Sequence, residues 1–161
     1  GYGGVLSVLL ASFPAMTGAV CDLDYLADAA RAYLSRAGVG DRAAFVPGDF
    51  FASVPEGYDT YVMKFIIHDW GDEDAARILR NCRVAAAPAS TIVLLEQLVP
   101  EPLGTGASDR AVIRADLTMM TMGGKERTAA EYRELLGTAG WRLSRVVRAS
   151  AEFSVIEGVQ S

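Results

Sequence analysis

Hydrophobic and polar residues alternate along the chain with two periods, which together predict a series of strands and helices. Short apolar runs bounded by Gly, Pro or charged residues, typical of buried strands, lie at residues 18–23, 43–47, 61–67 and 91–95. Apolar residues recur at helical spacing over residues 5–13, 24–37, 72–87, 110–122 and 128–140. Residues 141–149 and 153–159 have the pattern of a closing pair of strands. This alternation of strands and helices predicts an α/β protein with a doubly wound, mostly parallel sheet and an antiparallel C-terminal strand.

Four polar side chains follow predicted strands directly, namely Asp22, Asp49, His68 and Glu96. In open parallel sheets the carboxyl ends of the strands lie at one edge, and ligands bind at that edge. His68 is the single histidine of the sequence, and imidazole exchanges protons near neutral pH. A lone histidine beside a strand can also be a structural core residue, but the repeated placement of acidic groups at strand ends favours a functional site.

A nucleotide-like cofactor would find suitable groups in the first 50 residues. A glycine cluster at residues 1–4 opens the first predicted helix, where backbone N–H groups attract anionic or polar ligands. Asp22 suits a ribose diol, because a carboxylate accepts hydrogen bonds from both hydroxyls. Asp49 could accept a hydrogen bond from an exocyclic amine, and Phe50 could lie on a purine face. Alternatively, Asp22 only stabilises a helix N-terminus, and Phe50 is a core residue.

Composition and motif content narrow the function classes. The 161 residues fit one domain, and a net charge of −5 without a basic block disfavours nucleic-acid binding. Apolar runs fall short of the roughly 18 residues that span a membrane. Cys21 and Cys82 lie outside any metal-ligand spacing, so we expect no metal and a reducing, cytoplasmic setting. Nucleophile-elbow and phosphate-loop motifs are absent, which leaves cofactor-dependent group transfer or redox chemistry with a histidine base.

Five stretches of the sequence carry a family resemblance. They are Gly-Asp-Phe-Phe at 48–51, Lys-Phe-Ile-Ile-His-Asp-Trp at 64–70, Ile-Leu-Arg-Asn-Cys-Arg at 78–83, Gly-Gly-Lys-Glu-Arg-Thr at 123–128 and Ala-Gly-Trp at 139–141. In order and spacing the chain resembles the catalytic domain of the plant-type, caffeate- and hydroxyindole-like O-methyltransferases, which use S-adenosylmethionine on small molecules. The resemblance covers essentially the whole chain.

The resemblance implies a role for each matching residue. The implied catalytic residues are His68 as the general base, flanked by Glu96 and Glu126. The implied contacts to S-adenosylmethionine are Gly1, Gly3, Asp22, Asp49, Phe50 and Lys64. The acceptor, a small and aromatic hydroxyl compound, would contact Asp69 and Met119, and S-adenosylhomocysteine would be the product.

The resemblance also implies a longer protein. In the family a first strand precedes the glycine cluster, and a helical N-terminal domain dimerises and covers the acceptor. We therefore expect residues 1–161 to be an N-terminally truncated catalytic domain whose intact protein is a homodimer. Three alternatives stay open: a family relative with hydroxylase- or decarboxylase-like chemistry, a nicotinamide-dependent dehydrogenase, and a ligand-binding module without turnover.

Overall fold

The computed structural model describes residues 1–150 and 152–161, leaving aside the side chain of Ser108. Two compact units divide this chain, Gly1–Pro55 and Glu56–Ser161. Within the described residues, no helix is both long enough and apolar enough to span a membrane.

The first unit packs two helices against two parallel strands. Its elements are helix α1 (Gly4–Ser12), strand β1 (Gly18–Asp22), a 3-10 turn (Asp24–Leu26), helix α2 (Ala27–Arg36), a 3-10 turn (Gly40–Arg42) and strand β2 (Ala43–Pro47). Strands β1 and β2 pair with Gly18 opposite Ala43 and Asp22 opposite Pro47. Burial of apolar side chains from both layers, among them Leu10, Leu34 and Phe45, stabilises the unit.

A glycine allows α1 to approach this core closely. Gly3, at the N-terminus of α1, has φ +89°, which side-chain-bearing residues rarely adopt. A Cβ atom there would lie 2.8 Å from Val20 Cγ2. Packing within the unit therefore explains why this position needs glycine.

The second unit holds a four-stranded sheet with helices. Its elements are β3 (Thr60–Lys64), a 3-10 turn (Ile67–Asp69), α3 (Asp72–Ala85), β4 (Thr91–Glu96), α4 (Ala107–Thr121), α5 (Ala129–Thr138), β5 (Trp141–Arg148) and β6 (Ser154–Gln160). The strand order is β3-β4-β6-β5. Strands β3 and β4 are parallel, whereas β6 runs antiparallel to both of its neighbours, β4 and β5. This arrangement confirms the α/β class and the antiparallel C-terminal strand.

Burial alternates along β4, the strand that lies between β3 and β6. Ile92, Leu94 and Glu96 are buried, with half-buried residues between them. The buried Trp141 and Ile156 belong to the same core, and the Trp141 indole N–H donates to the Leu79 carbonyl of α3 at 3.0 Å. A central strand thus ends in a carboxylate that has no access to solvent.

Several predicted element boundaries differ from the structure: the helix predicted over 72–87 ends at Ala85, the helix predicted from residue 110 begins at Ala107, and two further differences lie next to predicted site residues. The strand predicted at 61–67 ends at Lys64, because Phe65 adopts a left-handed backbone with φ +52° that a strand cannot continue. His68 therefore lies in the 3-10 turn after the strand. The helix predicted from residue 24 begins with a 3-10 turn, and α2 starts at Ala27.

The capping box predicted at residues 128–131 is confirmed. Thr128 Oγ1 accepts from the Glu131 amide at 3.1 Å, and Glu131 Oε2 accepts from the Thr128 amide at 2.8 Å. These bonds satisfy amides that the first turn of α5 leaves open.

Candidate active site

The turn that carries His68 is fixed to the end of the neighbouring strand. Strands β3 and β4 pair in parallel, so Glu96, the last residue of β4, lies beside the chain that leaves β3. Its Oε1 accepts hydrogen bonds from the amides of Ile66 and Ile67, at 3.1 and 2.8 Å. A buried carboxylate that accepts two amides holds this turn in one conformation.

A second loop, residues 123–128, packs against the same turn. The Lys125 amide donates to the His68 carbonyl at 2.9 Å. Gly124 allows this approach, since a Cβ atom there would lie 2.1 Å from the His68 carbonyl oxygen. The Glu126 amide donates to Asp116 Oδ1 on α4 at 2.9 Å, which fixes the residue that faces the imidazole.

The His68 imidazole lies among three carboxylates. Its Nδ1 is 3.0 Å from Glu126 Oε1 and 3.9 Å from Glu96 Oε2. Its Nε2 is 3.5 Å from Asp69 Oδ1. The His68 side chain is 13% exposed, whereas those of Glu96 and Glu126 are 0% and 1% exposed. The short Nδ1 contact favours the neutral tautomer that donates from Nδ1 to Glu126, and this tautomer keeps the Nε2 lone pair available.

Burial and charge shift both ionisations in this cluster. Burial alone would lower the pKa of His68, but the Glu126 hydrogen bond and the charges of Glu96, Glu126 and Asp69 outweigh it and raise that pKa. Burial raises the pKa of Glu96 to about 7, against the opposing effects of His68 and of two backbone amides. Glu96 therefore exchanges its proton near neutral pH, 3.9 Å from an imidazole whose pKa is also raised.

An arginine ties the two loops together. Arg127 is fully buried and donates to Asp72 Oδ1 from Nε and Nη2, at 3.0 and 2.8 Å. Its Nη1 and Nη2 donate to the carbonyls of Ile67 and Trp70, at 3.1 and 2.8 Å. Lys125 Nζ adds an ion pair to Asp72 Oδ2 at 3.1 Å. The planar guanidinium thus fixes both ends of the turn around His68.

An aromatic ring covers the imidazole. The Phe65 ring stacks on His68, with centroids 5.4 Å apart and an interplanar angle of 25°. Sequence reasoning missed this contact. It also missed the hydrogen bonds of Arg127 to Asp72, Ile67 and Trp70, called the Arg127 clamp below, and the hydrogen bond of Asp116 to the Glu126 amide. The only signal that the sequence offered for the clamp was the position of Arg127 next to Glu126 in the same motif.

The residues predicted to bind the adenosyl part lie in the first unit. Asp22 ends β1, and Asp49 and Phe50 follow β2. The Gly48 amide donates to the Asp22 carbonyl at 3.0 Å, so both acidic residues belong to one edge of this strand pair. Asp22 Oδ1 accepts from the Leu23 amide at 2.8 Å, and Asp49 Oδ1 accepts from the Phe51 amide at 2.9 Å. Two oriented carboxylates beside a half-buried aromatic ring match the donor groups and the flat base of a nucleoside.

The remaining predicted residues are placed as follows. Gly1 is exposed, its amino group pairing with Asp22, and Gly3 lies at the start of α1. Lys64 ends β3 in the second unit, with Nζ 4.2 Å from the Phe65 ring centroid. Met119 is half-buried on α4, and its carbonyl accepts from the Gly124 amide at 3.0 Å. Of the predicted set, Asp69, Glu96 and Glu126 each place a carboxylate oxygen within 4 Å of the His68 imidazole, at 3.5, 3.9 and 3.0 Å.

A metal centre was not predicted, and the described part of the chain contains no cluster of three His, Cys, Asp or Glu side chains suited to a metal ion.

Comparison with known proteins gives a consistent result. The O-methyltransferase domain family matches residues 1–142. A phenazine O-methyltransferase of Lysobacter antibioticus is 38% identical over 158 residues, which cover 98% of this chain and 45% of that protein. An O-demethylpuromycin-O-methyltransferase of Streptomyces alboniger is 38% identical over 144 residues, 89% of this chain and 38% of that protein.

A solved structure extends the similarity to three dimensions. The neocarzinostatin-biosynthesis O-methyltransferase NcsB1, in complex with S-adenosylmethionine and 2-hydroxy-5-methyl naphthoic acid, superposes with a TM-score of 0.88 at 34% identity. The match covers 100% of this chain and 46% of that one. The chain therefore spans less than half the length of these relatives.

Proposed function

The chain belongs to the O-methyltransferase domain family, and from that premise we propose that it is the catalytic domain of an S-adenosylmethionine-dependent enzyme. The proposed reaction moves a methyl group to a hydroxyl of a small aromatic natural product. Relatives whose names specify phenazine, puromycin and naphthoate compounds support this acceptor class.

One observation carries the proposal, namely the 3.0 Å contact between His68 Nδ1 and the buried Glu126. A histidine that donates from Nδ1 is able to accept a proton at Nε2 from a phenolic hydroxyl. Glu126 then stabilises the imidazolium ion, as the orienting carboxylate does in other histidine-base sites. We assign His68 the role of general base and Glu126 the role of orienting it.

Glu96 has two tasks in this scheme. Its Oε1 accepts from the amides of Ile66 and Ile67, which fixes the His68 turn against the end of β4. Its second oxygen is 3.9 Å from His68 Nδ1, so negative charge on Glu96 further favours the imidazolium. We propose that Asp69, 3.5 Å from Nε2, and Met119 contact the acceptor.

The cofactor-binding set fits the chemistry of an adenosyl group. We propose that Asp22 accepts from the ribose hydroxyls and that Asp49 accepts from the adenine amine, with Phe50 against the purine ring. Gly1, Gly3 and Lys64 complete the proposed set. When bound, S-adenosylmethionine supplies the electrophilic methyl group that the acceptor oxygen takes. We also propose that the intact protein is a homodimer, as the family resemblance implies.

Cofactor binding is the direct test of this assignment. Calorimetric titration of S-adenosylhomocysteine into the full-length gene product should give saturable binding, and Asp22→Ala should abolish it. NAD, titrated in parallel, should give no binding. Binding of NAD alone, or equal binding of S-adenosylhomocysteine by the Asp22→Ala variant, would overturn the assignment.

Removing the base tests the catalytic role. In the full-length gene product, methyl transfer can be followed from labelled S-adenosylmethionine to hydroxynaphthoates, including 2-hydroxy-5-methyl naphthoic acid. His68→Ala should reduce the rate by about 10²- to 10⁴-fold, the usual contribution of a general base. Its binding of S-adenosylhomocysteine should be unchanged. A His68→Ala variant as active as the unmodified chain would eliminate the histidine-base mechanism.

A further inference from the structure

The residue that follows β3 has a backbone conformation that its side chain disfavours. Phe65 has φ +52°, in the left-handed region where a Cβ atom is strained. Its amide donates to the Leu95 carbonyl at 3.0 Å, which holds this conformation against β4. Glycine would adopt the same φ without strain, so the strain is a cost of placing this particular side chain.

The side chain so placed is a ring against the imidazole. The Phe65 and His68 rings stack at 5.4 Å with 25° between their planes. The edge of Phe153 meets the Phe65 ring at 6.2 Å and 88°, a favourable aromatic geometry. Phe65 is thus fixed by its own backbone and by a second ring.

The hydrogen bond to Glu126 and the stacked ring act on the same torsion of His68. That torsion, which sets the plane of a histidine ring, has a broad energy minimum, and a single hydrogen bond of 3.0 Å tolerates a range of angles around it. A ring stacked on one face restricts that torsion. The direction of the Nε2 lone pair depends on the plane, and so depends on the stacked ring.

We propose that Phe65 is a positioning residue, whose strained backbone places its ring on His68 and so aims the Nε2 lone pair. The inference rests on the proposed function only for the use of that lone pair; the positioning itself is a property of the folded chain.

The stacked ring also acts on the charge of the imidazole. Charged groups around His68 are Glu96 from β4, Glu126 from the 123–128 loop and Asp69 from its own turn, while Lys64 contacts the Phe65 ring. The negative face of an aromatic ring favours a cation, so it acts in the same direction as the carboxylates. Removing the ring should lower the pKa of His68 by about 0.4 to 0.7 unit, as expected for an exposed to half-buried cation–π contact.

The single histidine makes this measurable without cofactor or acceptor. In the 161-residue chain labelled with ¹⁵N-histidine, one pair of imidazole signals reports both the pKa and the tautomer of His68. The variants are Phe65→Leu and Phe65→Met, which lack the ring, Phe65→Tyr, which keeps it, and Phe65→Gly, which lacks the ring and relieves the strain.

The expected pattern separates the ring from the backbone. Phe65→Leu, or Phe65→Met if the leucine variant does not fold, should show the lower pKa and a mixture of both neutral tautomers. Phe65→Tyr should match the unmodified chain, and Phe65→Gly should behave like the leucine variant.

Two results would overturn the inference. One is an unchanged His68 titration in the ring-free variants, and the other is unmodified behaviour of Phe65→Gly, which would assign positioning to the backbone. Because these spectra involve no cofactor, failure to bind S-adenosylhomocysteine would count against the proposed function and leave this inference standing.

Discussion

Replacing Gly124 by alanine perturbs the His68 turn through its backbone. The new methyl carbon would lie 2.1 Å from the His68 carbonyl oxygen and 2.7 Å from the Asp69 carbonyl carbon. Ordinary contacts between carbon and oxygen exceed 3 Å, so the turn must move away by roughly 1 Å. Both obstructing atoms belong to backbone, so a change of rotamer cannot relieve the clash.

Two consequences follow for stability and catalysis. Overpacking of this kind costs about 1–3 kcal/mol of unfolding free energy, and the Lys125–His68 backbone hydrogen bond at 2.9 Å should lengthen. A displacement of roughly 1 Å in a catalytic group reduces a rate by about 100-fold. Gly124→Ala should therefore be less stable, and its methyl transfer should fall about 100-fold.

Urea unfolding measures the stability, transfer of labelled methyl measures the rate, and the ¹⁵N spectrum of His68 reports the displacement of its turn. Gly137→Ala is the matched control, because a Cβ atom at this exposed position of α5 meets nothing within 4 Å. It should gain roughly 0.5–1 kcal/mol, since alanine is the better helix former. Unchanged stability and an unchanged His68 spectrum in Gly124→Ala would refute the close packing of the two loops.

Two further predictions concern protonation and the clamp. The pKa of His68 is raised above 6.5 and that of Glu96 is raised from 4.5 to about 7, so the folded chain binds more protons than the unfolded chain. The stabilisation from His68 is complete below pH 6.5 and is lost as the pH rises through its folded pKa. Glu96 also lowers the free energy of unfolding as the pH rises from 4.5 to 7, because its charged form is unfavourable in the buried site. Urea unfolding should therefore show stability falling from pH 5 to 8, with a flatter profile for Glu96→Gln; a rise over that range would contradict the pKa shifts. Arg127→Lys should lose about 1–3 kcal/mol in the same assay, because lysine cannot supply the fork of donors to Asp72 and two backbone carbonyls. Exposed Arg133→Lys is its control, and equal stability of the two variants would argue against the clamp.

Hydrophobic periodicity was sufficient to find most of the fold. The apolar runs at β2 and β4 and the capping box of α5 are local signals, and the structure confirms the two strands and the cap. The end of β3 was not predictable in the same way. Residues 65–67 are apolar and β-prone, and tertiary contacts, among them the hydrogen bond of the Phe65 amide to Leu95, hold Phe65 in the left-handed region. A residue whose strained backbone is held by tertiary contacts cannot be recognised from hydrophobic periodicity.

The candidate site shows the same division. His68 and Glu96 were found because each follows an apolar run, and their proximity follows from parallel pairing of β3 with β4. Glu126 lies 58 residues from His68 on a loop without periodicity, so only the family resemblance pointed to it. Arg127 was not predicted to be a site residue, yet it is fully buried between two loops.

The tautomer of His68 tests the central claim most directly. In the folded chain above the pKa of His68, ¹⁵N spectra of the single imidazole should show the proton on Nδ1 and the lone pair on Nε2. Glu126→Gln should lower the pKa of His68 and weaken this preference, because the hydrogen bond and the charge of Glu126 both support it. A proton on Nε2 in the unmodified chain would contradict the account, since the nitrogen assigned as the base would then have no lone pair to accept a proton.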